Sequence, residues 1–209
     1  MIEKLSNCHY RSVLCLNGEL PGAHFFRQNT LPLIAADGAA NKLVKMQLTP
    51  EIIIGDLDSV NSDIRLQHSV LHKPCQNSSD FQKALDYLEV HQLLPTIIVG
   101  VSGGRIDHIL NNVNIFMGTK SIFYAPPLIG FTMVEGQSEQ FSLPIDTKIS
   151  ILGIPEACIN SKGLKWELNE YQLAFPGKTS CFNRSLSSQV NFSILNGTAL
   201  ILIYEDPET

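Results

Sequence analysis

A change in the pattern of apolar residues near position 126 constrains the fold of this 209-residue chain more than any other feature. Between Arg11 and Ala125, short apolar runs alternate with stretches of helical periodicity, whereas only strand-like runs follow Pro126 and Pro127. Alternating strands and helices are typical of a mostly parallel sheet with helices on both faces, and consecutive strands are typical of an all-β unit. The sequence therefore predicts two domains of different class, which we place at residues 1–128 and 129–209.

The first half contains short apolar runs between Gly, Pro or Asp residues, as expected for strands that are buried on both faces. The predicted strands are Val13–Leu16, Leu33–Ala36, Ile52–Ile54, Thr96–Val99 and Ile122–Tyr124. The predicted helices are Ala39–Met46, Phe81–His91 and Asp107–Met117. Ser79 precedes the second of these helices and is a typical N-cap residue. This order predicts an α/β domain with a mostly parallel, Rossmann-like sheet.

The second half contains short apolar runs separated by turn residues, which is typical of a β-sandwich or a barrel. The predicted strands are Phe131–Val134, Phe141–Leu143, Lys148–Leu152, Leu164–Glu167, Gln172–Phe175, Val190–Leu195 and Ala199–Tyr204. Asn196-Gly197 lies between the last two strands and predicts a tight type I′ hairpin.

Composition and charge exclude several classes of protein. The net charge of −5 and the absence of a basic run disfavour nucleic-acid binding. No apolar run approaches the ~18–20 residues of a membrane helix, and the first ten residues have no signal-peptide core, so we expect a cytoplasmic protein. The five cysteines include no CxxC pair, and we expect nearly all of them to be small buried side chains rather than disulfide or zinc ligands.

Acidic residues recur where predicted strands end or helices begin. They are Asp37, Asp56, Asp58, Asp80 and Asp107. In a parallel sheet these positions lie at one edge, at the carboxyl ends of the strands, where ligands bind in open α/β folds. Five convergent carboxylates repel one another unless a cation lies among them. Mg²⁺ prefers such oxygen ligands together with substrate phosphates, so the sequence predicts a magnesium site at this edge.

The segment from Gly100 to Arg105 adds a feature suited to phosphate. Gly103 and Gly104 allow the backbone to approach a ligand closely, and the helix that follows offers free N–H groups to an anion. The guanidinium group of Arg105 can contact two phosphate oxygens at once. Because a tight turn between a strand and a helix has the same composition, this segment supports phosphate binding only in combination with the carboxylates.

Four segments together resemble the catalytic-domain motifs of the thiamine pyrophosphokinase family, in their order and spacing as well as their residues. They are Ala36–Asn41, Ile54–Ser59, Ser79–Leu85 and Gly103–His108. In the second half, Gly163–Leu168, with the sequence Gly-Leu-Lys-Trp-Glu-Leu, resembles the thiamine-binding segment of that family. The resemblance covers nearly the whole chain.

The resemblance implies an α/β catalytic domain followed by a β-sandwich, in a homodimer that holds thiamine at the subunit interface. It also implies that the protein transfers diphosphate from ATP to thiamine with the help of Mg²⁺. The implied catalytic and metal-binding residues are Asp56, Asp58 and Asp80. The implied ATP-binding residues are Asp37, Gly38, Asn41, Gly103, Gly104, Arg105, Asp107 and His108. The implied substrate-binding residues are Gln76, Ser79, Trp166, Ser180 and Asn183, and Trp166 would cover the thiamine ring.

Two positions depart from the family's pattern. Cys75 stands where the family usually has an acidic residue, and Phe182 stands at an expected serine. Either Ser180 or Asn183 is then the residue expected to hydrogen-bond the pyrimidine ring, while Phe182 is placed to pack against the ligand. The attacking hydroxyl group needs a proton acceptor, for which Asp58 and Asp80 are the candidates.

Two other functions remain open from the sequence alone. An Asp-x-Asp pair after a strand also occurs in other magnesium-dependent phosphotransferases and phosphohydrolases, although Trp166 in its Gly-Leu-Lys-Trp setting disfavours them. A protein that binds thiamine or a nucleotide, and that has lost catalysis through the changes at Cys75 and Phe182, is the second alternative. An assay for AMP and thiamine diphosphate distinguishes all three.

Overall fold

A computed structural model of the chain describes residues 9–205. Within this range the chain forms two compact units, residues 9–125 and residues 126–205, which are described separately here. The assignment of a distinct function to each unit remains a prediction. The signal-peptide prediction for the first ten residues rests mostly on positions outside the described range, as does the prediction for Cys8.

The first unit is built on six strands that pair only in parallel. They are β1 Ser12–Cys15, β2 Leu33–Ala36, β3 Ile52–Gly55, β4 Val70–His72, β5 Thr96–Val99 and β6 Ile122–Ala125. Their order across the sheet is β6-β5-β1-β2-β3-β4. The five strands predicted from apolar runs are confirmed. The edge strand β4 was not predicted, because its three residues are mostly exposed and carry no apolar run.

Five helices connect these strands. They are α1 Ala23–Gln28, α2 Ala39–Lys45, α3 Ser62–Gln67, α4 Asp80–Val90 and α5 Ile106–Phe116. The predicted helices correspond to α2, α4 and α5 and are confirmed. The helices α1 and α3 were not predicted. Each has only six residues, which is too short for a clear periodic pattern, and neither has a side-chain cap that would mark its start.

The centre of this sheet is apolar and closely packed. All residues of β1 and β5 are buried, and Phe116 of α5 packs edge-on against Phe123 of β6 with 4.9 Å between ring centroids. Burying each large apolar side chain contributes about 1.5–3 kcal/mol to folding. The two buried hydroxyl groups at the start of the strands bond to each other, since Ser12 Oγ donates to Thr96 Oγ1 over 2.8 Å. These central strands therefore form a rigid base for the loops at their carboxyl ends.

The second unit contains only antiparallel pairs. Its strands are β7 Leu128–Val134, β8 Ser138–Ser142, β9 Lys148–Lys162, β10 Tyr171–Ala174, β11 Ser180–Arg184 and β12 Gln189–Tyr204. The long strands β9 and β12 pair with each other. The strands β7 and β8 follow each other along the free edge of β12, and β10 and β11 follow each other along the free edge of β9.

Two predictions for this unit were wrong. Asn196-Gly197 does not form a hairpin but lies inside β12, where the positive φ of Gly197 (76°) serves a β-bulge and the register with β9 shifts. Leu164–Glu167 is not a strand, because only Leu164 makes an isolated bridge, to Ser185. Lys165 N donates to the carbonyl oxygen of Arg184, and side chains rather than a continuous ladder satisfy the backbone of Leu164 and Trp166.

The fold class was correct in outline, since the protein is mixed α/β with a large sheet. The strands taken together are mixed in direction rather than mostly parallel, because all pairs among β7 to β12 are antiparallel. In the second unit, Phe141 of β8 packs against Phe131 of β7 and Phe192 of β12, with ring centroids 5.0 Å and 5.8 Å apart. A sandwich is the arrangement that we propose for these strands.

Among residues 9–205, no helix is long and apolar enough to cross a membrane. Four described cysteines are free, and the prediction that nearly all would be buried was wrong for two of them. Cys15 and Cys158 are buried, whereas Cys75 and Cys181 are exposed because they lie in a loop and on the short strand β11.

Candidate active site

The order of strands in the first unit creates a natural place for a ligand. The chain adds β2, β3 and β4 on one side of β1, and then β5 and β6 on the other side. Loops that follow strands on opposite sides of such a switch point leave a crevice at the carboxyl ends of the strands. Here the loops after β1 and β5 contact each other closely, and a Cβ atom at Gly18 would overlap the carbonyl oxygens of Gly100 and Ser102.

A cavity of about 720 Å³ opens at this edge of the sheet. That volume falls within the range typical of small-molecule sites, about 300–1,000 Å³. Many of the residues predicted for the site line it, namely Asp37, Asp56, Asp58, Gln76, Ser79, Asp80, Gly104, Arg105, Asp107 and His108. The segments containing these residues are far apart in sequence, and the parallel sheet brings them together.

Three carboxylates form a compact cluster in the cavity. Asp37, Asp56 and Asp58 each offer an oxygen such that all three oxygens lie within 4.8 Å of one another. β3 ends at Gly55 and the buried Leu57 has a left-handed φ of 64°, so extended strand geometry does not align Asp56 with Asp58. The carboxylates nevertheless converge, and Asp58 N donates to Asp56 Oδ1 over 3.3 Å.

Asp37 is the buried member of the cluster. Only 5 % of the residue is exposed, and its Oδ1 atom has no hydrogen-bond partner. Burial raises the pKa of Asp37 above its ordinary value, and the charges of Asp80 and Asp58 raise it further, against hydrogen bonds from Gly38 and Ser59. Its backbone is left-handed, with a φ of 43°. A strained backbone and an unpaired buried oxygen mark a position that is suited to a ligand rather than to stability.

Asp56 lies in a different electrostatic environment. Gln76 Nε2 donates to Asp56 Oδ2 over 2.8 Å, and this bond lowers the pKa of Asp56, with a smaller contribution from the backbone of Asp58. Asp56 is therefore ionised at neutral pH. Gln76 was predicted to bind substrate, and in this structure its amide orients a carboxylate of the cluster.

Asp80 lies at the start of α4 and lines the same cavity, but it is not part of the compact cluster. Its Oδ1 atom accepts a hydrogen bond from Lys83 Nζ over 2.8 Å. The start of this helix is fixed by the predicted cap, because Ser79 Oγ accepts from Gln82 N while Gln82 Oε1 accepts from Ser79 N. The metal-binding role predicted for Asp80 remains a prediction, and Asp37 is the third carboxylate that the structure brings close to Asp56 and Asp58.

The start of α5 forms another wall of the cavity. Arg105 precedes the helix, and no described carboxylate lies within ion-pairing distance of its guanidinium group. Asp107 Oδ1 accepts a hydrogen bond from the N–H of His108 over 3.0 Å. The unpaired guanidinium group is thus available to an anion, as the glycine-rich segment predicted.

Three predicted ATP-binding residues do not line the cavity. Gly38 begins α2 and packs against Asn17. Asn41 connects α2 to the loop after β3, where its side chain donates to Ser59 O and accepts from Asn61 N. Gly103 has a φ of 81° and packs against Glu19. These residues contact segments that line the cavity, and their contact with ATP remains a prediction.

Several residues of the site were not predicted from the sequence. Asn17 and Gly18 follow β1 and line the cavity, as do Lys83 and Asn112. The amine of Lys42 donates to the carbonyl oxygens of Asn17 and Gly18, each over 2.6 Å, and so fastens this loop to α2. The Asn17-Gly18 loop lies where the strand order switches beside β1, and this topology is the feature that identifies the loop as part of the site. The buried position of Lys83 had no sequence signal beyond its spacing from Asp80.

The remaining predicted substrate residues lie in the second unit. Trp166 is 55 % exposed, and the Lys165 amine lies 4.8 Å from the centre of its ring. Asn183 is buried beneath Trp166 and bonds to its backbone, and it also donates to Ser180 Oγ over 3.3 Å. Phe182 is 60 % exposed, with a φ of 57°. The prediction that Asn183 hydrogen-bonds the substrate is not supported, because its side chain is already bonded.

The first unit matches a known family of proteins. Residues 25–123 match the profile of the family described as "Thiamin pyrophosphokinase, catalytic domain". Thiamin pyrophosphokinase 1 of Caenorhabditis elegans is 27 % identical over 183 residues, which cover 75 % of this chain and 72 % of that protein. Thiamine pyrophosphokinase 1 of Oryza sativa subsp. japonica is 22 % identical over 208 residues, which cover 82 % of this chain and 79 % of that protein.

Solved structures share the fold. The thiamin pyrophosphokinase of yeast superposes with a TM-score of 0.83 at 17 % identity and covers 98 % of this chain and 89 % of its own. The thiamin pyrophosphokinase of Candida albicans gives a TM-score of 0.82 at 17 % identity, with 94 % and 90 % covered. The thiamine pyrophosphokinase of Bacillus subtilis gives 0.80 at 19 % identity, with 94 % and 100 % covered.

Proposed function

Because this chain belongs to the thiamine pyrophosphokinase family, we propose that it transfers the terminal diphosphate of ATP to the hydroxyl group of thiamine. The products are AMP and thiamine diphosphate. One observation on the structure of this chain supports the proposal independently of its similarity to other proteins. A cavity at the switch point of the parallel sheet brings Asp37, Asp56 and Asp58 together and has an unpaired arginine, Arg105, on its wall. Carboxylates that hold a divalent cation, beside a cationic side chain, are the groups that a triphosphate requires.

The donor set fits a hard divalent cation. Asp37, Asp56 and Asp58 would hold Mg²⁺, since all three offer oxygen and the buried Oδ1 of Asp37 lacks any other partner. A bound Mg²⁺ supplies charge neutralisation at the oxygens of ATP. Asp80, which the family resemblance also assigns to the metal, lines the same cavity and completes the acidic wall.

The side chains of this cavity position the reacting groups. The hydroxyl oxygen of thiamine attacks the β-phosphorus of ATP, the bond from that phosphorus to the α-phosphate oxygen breaks, and AMP leaves with the bonding electrons. Arg105 and the start of α5 bind the phosphate oxygens, and Lys83 places a second cation in the cavity. The hydroxyl proton passes to Asp58 or Asp80. Such a transfer depends on positioning and charge stabilisation more than on covalent catalysis.

Thiamine requires a different surface. Trp166, exposed in the second unit, provides an aromatic face for the cationic thiazolium ring, a pairing worth about 0.5–2 kcal/mol. The Lys165 amine over this ring indicates that the face attracts a cation. We propose a homodimer with thiamine at the subunit interface, as the family resemblance implies. The cytoplasmic location also remains a prediction.

One assay tests the function. The purified protein is incubated with ATP, Mg²⁺ and thiamine, and AMP and thiamine diphosphate are measured. We expect both products in equal amounts and only in the presence of Mg²⁺. ADP or free phosphate without thiamine diphosphate would indicate a different phosphotransferase or a phosphohydrolase. Binding of thiamine or ATP without turnover would indicate a binding protein.

A further inference from the structure

We propose that Asn183 is a positioning residue that fixes Trp166 for stacking and does not itself contact the substrate. This inference rests on the proposed function, in which Trp166 covers the thiamine ring. It concerns the segment of residues 163–168, here called the tryptophan loop. Both residues lie in the unit of residues 126–205, and all the contacts between them lie inside that unit.

The side chain of Asn183 has no hydrogen-bonding capacity left for a ligand. Its Oδ1 atom accepts from Trp166 N over 3.2 Å and from Arg184 N over 2.8 Å. Its Nδ2 atom donates to Trp166 O over 2.7 Å and to Ser180 Oγ over 3.3 Å. A carboxamide has two N–H donors and two acceptor lone pairs, and all four are used. Asn183 is also only 1 % exposed, so a substrate has no access to it.

Backbone hydrogen bonds at Gly163, Lys165 and Leu168 hold the tryptophan loop on either side of Trp166, and side chains hold Trp166 itself. The loop makes a single isolated bridge, at Leu164, and Trp166 has no strand partner. Asn183 therefore satisfies both the N–H and the carbonyl group of Trp166, as a neighbouring strand would do. Glu167 holds the start of the loop, since its Oε1 atom accepts from Gly163 N over 2.6 Å and from Leu164 N over 3.1 Å. Buried or bonded side chains thus fix the backbone on both sides of Trp166.

The result is an exposed aromatic ring on an immobilised backbone. More than half of Trp166 is exposed, while the residue that holds it is buried. An aromatic surface that is ordered before binding loses less conformational entropy when the ligand arrives. Loss of the Asn183 bonds would not alter the indole ring itself, but it would allow the backbone that carries the ring to move. The expected defect is a weaker interaction with thiamine and an unchanged interaction with ATP, whose proposed site lies in the other unit.

Trp166 is the only tryptophan in the chain, so its fluorescence reports directly on the loop. Asn183→Ala removes all four bonds, and Asn183→Asp keeps the acceptors and removes both donors, to Trp166 O and to Ser180 Oγ. Asn160→Ala is the matched control, because Asn160 Oδ1 accepts from Glu170 N and does not contact Trp166. We expect faster local motion in time-resolved anisotropy for Asn183→Ala and a KM for thiamine raised about tenfold, as for a lost hydrogen bond. Asn183→Asp should weaken thiamine binding at least as much, because it sets a buried carboxylate oxygen against the carbonyl oxygen of Trp166, and KM for ATP should be unchanged in both.

The outcomes separate the inference from the proposed function. Unchanged anisotropy and unchanged KM for thiamine in both Asn183 variants overturn the inference. A raised KM for thiamine with unchanged anisotropy also overturns it, because Asn183 would then contact thiamine directly. If Asn183→Ala does not fold, as judged by circular dichroism, the neutral variant Asn183→Ser, which keeps a small polar side chain, carries the test. If the wild-type protein makes no thiamine diphosphate, the proposed function fails, and the anisotropy still decides whether Asn183 immobilises Trp166.

Discussion

Lys83 Nζ lies 2.8 Å from Oδ1 of Asp80, and only 3 % of this lysine residue is exposed. The two residues lie one helical turn apart on α4, at the wall of the cavity. Burial alone would lower the pKa of Lys83, but the hydrogen bond and the charge of Asp80, with a contribution from Asp56, raise it above its ordinary value of 10.5. Lys83 is therefore charged at neutral pH and holds one oxygen of Asp80 in a fixed position.

Replacing this lysine should reduce both stability and activity. Lys83→Met keeps most of the buried volume but leaves Asp80 without its partner, and we expect a loss of about 1–3 kcal/mol in the free energy of unfolding at pH 7. Because the pKa of Lys83 is raised on folding, its contribution is present below pH 10.5 and disappears as the pH rises through the folded-state value. Denaturant titrations in EDTA at several pH values check this.

The control for this experiment is Lys45→Met, on α2. The difference in stability between wild type and Lys83→Met should shrink above pH 10.5, while Lys45→Met, a change at an exposed position, should have little effect on stability at pH 7. We also expect Lys83→Met to lower kcat about 10²-fold, since a cation beside the transferring phosphates is removed. A difference in stability that stays constant between pH 8 and pH 11.5 would show that the ion pair is not its source.

Asp37 should reduce the stability of the protein in the absence of metal. Because folding raises the pKa of Asp37, its protonated form stabilises the folded protein below pH 3.8. This stabilisation is lost as the pH rises through the folded-state pKa, so the charge of Asp37 lowers stability at pH 7. Asn tolerates the left-handed backbone of this position, and Asp37→Asn removes the charge. In EDTA we expect Asp37→Asn to raise the free energy of unfolding at pH 7.

Magnesium should reverse the order of stability, so that wild type becomes more stable than Asp37→Asn. A ligand that binds only the folded state raises the thermal midpoint of wild type by mass action, and Asp37→Asn should lose most of that rise. Asp63→Asn, at an exposed position on α3, is the control and should respond to Mg²⁺ as wild type does. An equal rise in the thermal midpoint for Asp37→Asn and wild type would remove Asp37 from the metal site.

Asp58 should be required for turnover but not for folding. The residue is exposed, and its Oδ1 atom accepts only from its neighbour Ser59. For Asp58→Asn we expect the rate of AMP release to fall about 10²–10³-fold, with an unchanged circular dichroism spectrum. Asp86→Asn, an exposed change on α4 outside the cavity, should retain full activity. Unchanged activity of Asp58→Asn would exclude Asp58 from the metal site.

The sequence predicted those features that depend on one strand or helix at a time. The runs that became β1 and β5 are apolar apart from Ser12 and Thr96 at their starts, because all residues of these strands are buried. The position of a carboxylate after such a strand then places it at the ligand-binding edge, so Asp56 and Asp58 were assigned correctly to the cavity. Side-chain alternation alone did not predict how they converge, because Leu57 leaves the extended conformation.

Features that depend on contacts between distant segments were not predictable. The long strands β9 and β12 contain polar residues and glycines that resemble turns, and they remain continuous because each is paired along both edges. Asn183 carries a side chain that suits a ligand contact, yet its bonds to Trp166 are formed only after β11 packs beside the tryptophan loop. Which polar side chains remain available is decided by tertiary structure rather than by residue type.

The contact between the loops after β1 and β5 should be needed for the shape of the cavity. A Cβ atom at Gly18 would overlap the backbone carbonyl groups of Gly100 and Ser102, which cannot move aside as a flexible side chain can. We therefore expect Gly18→Ala to lower the free energy of unfolding by about 1–3 kcal/mol and to raise KM for ATP more than KM for thiamine. Gly22→Ala, where nothing lies within 4 Å of the new atom, is the control and should leave the free energy of unfolding and the two KM values unchanged. Equal behaviour of the two variants would show that this close approach does not shape the site.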